Sequence, residues 1–126
     1  MSILVDTSVW VAHFKHGNEA LIRLLEMDEV LMHPMILVEL SCGTPPAPRT
    51  QTLGDLELLA TANQARLKEV MVFIEQEKLY GLGCGLVDLT LLASTLITPN
   101  ALLWTLDKRL QNLANRFDVN YPSQLH

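Results

Sequence analysis

ILVDTSVWVAHFKHG, residues 3–17, decides the fold. Ile3-Leu4-Val5 is a short apolar, β-branched run of the kind that makes a buried strand, and Asp6 stops it. Thr7 and Ser8 are residue types that cap a helix. Val9, Trp10, Ala12 and Phe14 then carry apolar surface at helical spacing as far as Gly17. A strand that turns straight into a helix needs a neighbouring strand to pair with, and the rest of the chain supplies candidates. Asn18 caps a second helix with Leu21, Ile22, Leu24 and Leu25 inward, and Val30–Met32 reads as the next strand. Pro34 suits a first helical turn, and Met35–Leu40 continues that helix to Gly43.

Past the stiff loop TPPAP (44–48), Arg49–Ala60 reads as a helix or a helix with a short strand, and Arg66–Glu77 as an amphipathic helix. GLGCG (81–85) is a turn before Leu86–Ile97, an almost wholly apolar helix. Ala101–Thr105 is expected to be a strand, Lys108–Asn115 a helix and Phe117–Val119 an edge strand. Short apolar strands alternate with helices and no hairpin dipeptide joins them, which indicates a parallel sheet covered on both faces. The expected architecture is one three-layer α/β/α domain over residues 1–126, with a mainly parallel sheet of four to five strands. Ligands of such sheets bind beyond the carboxyl ends of the strands.

Composition agrees and narrows the function classes. The 126 residues are 49% hydrophobic and only 18% charged, against about 25% charged in an average domain, and mean hydropathy is +0.23. Such a chain folds. The longest apolar stretch, Leu86–Ile97, holds Asp88, Thr90 and Ser94 and is shorter than the ~20 residues of a membrane span. MSILVDTS has no basic leader region. Two cysteines, Cys42 and Cys84, make no framework and read as buried small hydrophobes. A reduced cytoplasmic protein with no membrane association is expected. A net charge of −5, from 14 acids and 9 Lys plus Arg, excludes a generic polyanion-binding surface. It leaves open an enzyme that gathers carboxylates around a metal.

Four acids stand in apolar frames: Asp6 after Ile-Leu-Val, Glu39 inside Ile36–Leu40, Asp88 in Leu86–Leu89, and Asp107 after Leu102–Leu106. An ionised carboxylate in such a setting costs several kcal/mol unless paired or coordinated. Basic residues are scarce around the first three, and one shared divalent cation would serve all four. Oxygen ligands suit Mg²⁺ or Mn²⁺. Each acid also has an ordinary reading. Asp6 alone suits a helix N-cap, Asp107 a helix start near the positive dipole end, and Glu39 a snorkelling side chain at a helix edge. Asp88 is hardest to place otherwise, because its helix offers so little polar surface.

The segments LVDTSVWVAHFKHG, VLMHPMILVELSCG, FIEQEKLYGLGCGLVDLTLLAS and LLWTLDKRL span nearly the whole chain. Together they resemble the PIN-domain proteins, and more narrowly the VapC-type toxin ribonucleases of type II toxin–antitoxin pairs. By position, Asp6, Glu39, Asp88 and Asp107 match the acidic constellation of those proteins, and Ser8 and Thr105 their small hydroxyl positions. The resemblance implies endonucleolytic hydrolysis of RNA with Asp6 and Asp88 as principal ligands of Mg²⁺ (or Mn²⁺). Glu39 and Asp107 would hold waters or a second ion, and Ser8 and Thr105 would orient a carboxylate or contact phosphate. It also implies a cognate VapB-type antitoxin and a homodimer, with Trp10 and Phe14 in an interface or in the core. Many relatives carry a further acid where this chain has Gln111 and Asn112, which favours one well-held ion over two. Lys15, Lys108 and Arg109 are candidates to steer RNA past the acids.

Other features weigh less. His13 and His16 lie three apart, but further zinc ligands are missing nearby. GLGCG departs from the dinucleotide fingerprint, and Ser8 and Ser41 lack a nucleophile elbow. A phosphoacceptor signalling domain would need adjacent acids after the first strand and a Lys ending the last; neither is present. A non-catalytic RNA- or protein-binding module of the same fold is the other alternative, separated from an enzyme only by activity.

Overall fold

The computed structural model describes residues 1–122; the last four residues of the domain expected over 1–126 lie outside the described residues. Four strands, β1 (Ser2–Val5), β2 (Val30–Met32), β3 (Ala60–Thr61) and β4 (Ala101–Trp104), form one sheet in the order β3-β2-β1-β4. Every pairing is parallel, and the register sets Val5 opposite Trp104 and Ile3 opposite Val30. Strand β1, inside the sheet, and β4, paired beside it, are largely buried on both faces; Leu4 and Leu103 are wholly inaccessible. That is why Ile3-Leu4-Val5 and Leu102-Leu103-Trp104 are continuous apolar runs instead of alternating ones.

Seven helices connect and cover the strands: α1 (Thr7–His16), α2 (Glu19–Glu26), α3 (Pro34–Cys42), α4 (Arg49–Glu57), α5 (Leu67–Glu77), α6 (Leu86–Leu96) and α7 (Lys108–Arg116). Contacts link α1 with α3 and α3 with α4, and separately α5 with α6 and α6 with α7. The first connections run from β1 toward β3, whereas β3 returns across the sheet to β4. Right-handed crossovers then put the two helix groups on opposite faces, giving three layers. Helix α6 is the apolar one for a physical reason. Residues Leu89–Thr95 are all buried, so no side of that helix needs to be polar.

Local chemistry starts the helices as the sequence suggests, with one correction. The Asn18 side chain accepts the Leu21 N–H at 3.0 Å, and His33 Nδ1 accepts the Met35 N–H at 3.1 Å ahead of Pro34. Thr7 and Ser8, expected as caps of α1, are instead its first two residues; Asp6 occupies the capping position but makes no capping hydrogen bond. Trp10 is buried in the core and Phe14 packs against it. The cysteines also depart from expectation. Cys42 is exposed at the end of α3 and Cys84 only half-buried.

The edge strand expected at Phe117–Val119 shrinks to a single parallel bridge between Asn120 and Leu103. Asp118 takes a left-handed conformation at φ 59°, which ends α7 and cannot continue as extended chain. Only the next residues run beside β4: the Leu103 N–H reaches Val119 O at 2.7 Å, and the Tyr121 N–H reaches Leu103 O at 2.9 Å.

Candidate active site

Chain direction reverses between β1 and β4. From β1 the chain proceeds toward β2, and from β4 it proceeds through α7 toward the opposite edge. In an open parallel sheet that switch point, at the carboxyl ends of the strands, is where a crevice forms. Asp6 follows β1 there, and Thr105, Leu106 and Asp107 follow β4 beside it. The Asp6 N–H to Trp104 O bond of 2.9 Å continues the ladder to this point.

Asp6 is the anchor. It is 6% exposed, and its Oδ2 accepts two hydroxyl hydrogens, from Ser8 Oγ at 2.8 Å and Thr105 Oγ1 at 2.7 Å. Each hydroxyl in turn accepts a backbone N–H, Ser8 from Leu106 at 3.0 Å and Thr105 from Asp107 at 3.1 Å. With both hydroxyl protons directed at Oδ2, the carboxylate is held as an acceptor in a fixed plane. Its Oδ1 has no hydrogen bond among the described residues and is left for something else. Ser8 and Thr105, expected to orient a carboxylate or contact phosphate, are thus the two hydroxyls placed on Asp6.

Asp88, in the first turn of α6, is half-buried, and its carboxyl is raised above the ordinary range. Burial is the main cause, followed by the charges of Asp6 and Asp107 and, more weakly, of Glu39, with the Gly85 backbone offsetting part. The four acids predicted from sequence therefore share one electrostatic site. Neither ion pair among the described residues, the Met1 amino group with Glu29 or Arg116 with Glu77, involves any of them.

They do not share one environment, which corrects the expectation of four acids in apolar surroundings. Glu39 and Asp107 are exposed. Asp107 does cap its helix, Oδ1 accepting the Leu110 N–H at 3.0 Å, so its ordinary reading and its place in the site both hold. Glu39 Oε1 accepts the Thr7 hydroxyl at 2.5 Å, tying α3 to the start of α1. Thr7 is the residue that reading the sequence missed, since its hydroxyl looked committed to capping. The only signal was its place beside Asp6. Gln111 extends the same shell by donating from Nε2 to Thr105 O at 2.8 Å.

Among the described residues no three His, Cys, Asp or Glu side chains already converge on a single ion position. Mg²⁺ needs only one or two protein carboxylates beside water and phosphate. The donor set is all hard oxygen, enters no ion pair among the described residues and contains one carboxylate immobilised with a bare oxygen. Such a set fits a hard divalent ion. His13, by contrast, is occupied within the fold, its Nδ1 accepting the Asn18 N–H at 3.0 Å.

The PIN domain pattern matches residues 3–116 of the chain, strand β1 through helix α7. The chain belongs to the PIN domain family, within which it sits with the VapC type. It is similar to proteins named Ribonuclease VapC32 from two strains of Mycobacterium tuberculosis, CDC 1551 / Oshkosh and ATCC 25618 / H37Rv. In each case identity is 39% over 112 residues, covering 86% of this chain and 87% of the relative.

Proposed function

We propose that this chain is a toxin-type endoribonuclease that hydrolyses RNA phosphodiester bonds with carboxylate-held Mg²⁺, Mn²⁺ being an alternative ion. The observation that carries the proposal is the locked Asp6 carboxylate, one oxygen held by Ser8 and Thr105 and the other bare, near Asp88, whose carboxyl feels the charges of Asp6, Asp107 and Glu39. The likeness to proteins named as ribonucleases supports the substrate class. Asp6 and Asp88 would be the principal ligands, with Glu39 and Asp107 holding waters around them. When bound, the ion polarises a phosphodiester oxygen and acidifies water. Ser8 and Thr105 keep Asp6 oriented, and Thr7 steadies Glu39, which faces the same site from α3.

A cognate VapB-type antitoxin would hold the enzyme inactive. A groove of about 400 Å³ between α1 and α3 supports this, because it joins apolar walls at Val11, Phe14 and Leu40 to the Glu39 carboxylate. A segment with an apolar face and a basic residue fits such a surface. We also propose a homodimer, supported by Leu67 and Met71, exposed four residues apart on α5, and by exposed Tyr80, Leu82 and Leu86. No helix among the described residues is long and apolar enough to cross a membrane, and the site of action would be the cytoplasm, where RNA and antitoxin meet.

The test is cleavage of labelled total RNA by protein freed of any partner, in Mg²⁺ and in EDTA. Asp6→Asn and Asp88→Asn, each checked for folding by circular dichroism, are run alongside. Wild type alone should cut, and only with metal. Equal behaviour of folded wild type and Asp88→Asn would move a non-catalytic binding role to the front.

A further inference from the structure

Gly83 lies in the turn before α6 with φ +86°, a left-handed conformation that glycine adopts freely. Space restricts it as much as backbone does. A Cβ on Gly83 would sit 2.7 Å from Cδ of Arg109 and 2.9 Å from its Nη1, well inside contact distance. Arg109, in the first turn of α7 two residues after Asp107, therefore lies with its side chain laid flat across the bare backbone of Gly83. The next residue, Cys84, registers what surrounds this spot. Its thiol is pushed up by burial and by the Asp88 and Asp107 charges, while Arg109 pulls it down. One guanidinium thus stands at the rim of the acidic site, within the same field as two of its carboxylates.

That guanidinium is exposed and makes no hydrogen bond or ion pair among the described residues. Arg49 and Arg116 differ, since they bond Ser41 and Gly43 carbonyls and Glu77 respectively. An arginine seated by packing, with its planar fork of donors unspent beside a cluster of negative charge, is suited to a bidentate phosphate contact. A polyanionic substrate approaching four carboxylates needs such a contact.

We propose that Arg109, held in place by Gly83, is a substrate-binding residue that grips a backbone phosphate of the RNA next to the scissile one. The inference rests on the ribonuclease reading above, and its test separates the two. Binding of a short fluorescein-labelled single-stranded RNA is measured by anisotropy in EDTA across a salt series, and cleavage of the same RNA by steady-state kinetics in Mg²⁺. Arg109→Gln should weaken binding on the order of tenfold at low salt and flatten the log–log salt slope by about 0.7, the share of one phosphate on a single strand. KM should rise by a similar factor with kcat within about twofold. Arg109→Lys should recover the slope but only part of the affinity, because an ammonium keeps charge and loses the fork.

Gly83→Ala should lower urea stability in either background, since φ +86° strains a side chain, but its loss of RNA affinity should match that of Arg109→Gln and add nothing to Arg109→Ala, in which the obstructed atoms are gone. Unchanged KM and salt slope in Arg109→Gln overturn the proposal, as does a fall in kcat at unchanged KM. So does lowered urea stability with RNA affinity intact, which would make Arg109 a brace for the turn. If wild type neither binds nor cuts RNA, the ribonuclease reading itself fails and takes this inference with it.

Discussion

Replacing Thr105 by valine changes one oxygen for one methyl at a residue that is 1% exposed. By shape alone it is nearly neutral, so its effect isolates the hydroxyl. That hydroxyl donates to Asp6 Oδ2 at 2.7 Å and accepts the Asp107 N–H at 3.1 Å. A buried hydrogen bond to a charged acceptor contributes about 1.5–3 kcal/mol. The Asp107 N–H, at an exposed residue, can turn to water and costs about 0.5 kcal/mol more. Against these, the added methyl in an apolar pocket returns about 0.5–0.8 kcal/mol. Ser8 still holds Oδ2, which keeps the total from the upper end: a net loss of about 2 kcal/mol. In urea, with a slope of about 1–2 kcal/mol/M for a small domain, the unfolding midpoint should fall by about 1–2 M. Thr105→Ser, which keeps the hydroxyl and loses the methyl, should cost only about 1 kcal/mol. The order serine above valine inverts what packing volume predicts. A valine variant as stable as wild type, or more stable than the serine variant, would refute the claim that this hydroxyl holds Asp6 in place. Mg²⁺ affinity of the valine variant, read by calorimetry, should fall at least tenfold as the carboxylate gains freedom.

Two further perturbations follow from the protonation of the fold. The Asp88 carboxyl is raised by burial and by its acidic neighbours, so its ionisation destabilises the metal-free fold as pH rises above the ordinary carboxylate value. Asp88→Asn should therefore unfold later than wild type at pH 7 without metal, by a margin that solvent screening keeps small. The gap should close toward pH 4, and Mg²⁺ should stabilise only wild type; an Asn variant less stable than metal-free wild type would sink this. His33 works in the opposite sense. It is 3% exposed and held below its usual value by burial, with Nδ1 accepting the Met35 N–H and Nε2 left to donate to Ser94 at 3.2 Å. Its neutral form is the folded one, and stability is lost as pH falls below about 6.5, by at most ~1.4 kcal/mol per pH unit. Urea midpoints between pH 7.5 and 5 should fall less steeply in His33→Gln, and parallel curves would count against the buried neutral imidazole.

What the sequence made legible, and what it did not, divides along one physical line. Features carried by a single element were readable. Ile3–Val5 ending at Asp6 had to be a strand with an acid at its carboxyl end, and the apolar frame of Asp88 had to be a buried helix, because burial on all sides leaves no polar alternative. Features created where elements meet were not. Thr7 offers a hydroxyl to a helix start or to Glu39 equally well until α3 is set against α1. Gln111, seen in sequence only as a missing acid, turns out to tie α7 to the Thr105 carbonyl. The edge strand failed for a third reason, since a left-handed Asp118 carries no mark that a run of apolar neighbours would betray.

The same division explains why the four acids can be equivalent in sequence and unequal in the fold. Asp6 is buried and locked because it follows β1 beside its paired neighbour β4, with Ser8 supplied by the start of α1 and Thr105 by the end of β4. Glu39 lies exposed on α3 and Asp107 exposed at the start of α7. Asp88 is the intermediate case and the one whose charge the fold resists. A site built this way is preorganised at one ligand and electrostatically unsatisfied at another. A cation bound there would gain from both at once, being held by a carboxylate that no longer has to be ordered and relieving the repulsion that Asp88 feels from its acidic neighbours. Substituting Asp6 should therefore cost affinity through lost geometry, whereas substituting Asp88 should cost affinity while stabilising the metal-free protein. That opposition in sign distinguishes a metal site from four acids that merely share an edge of the sheet.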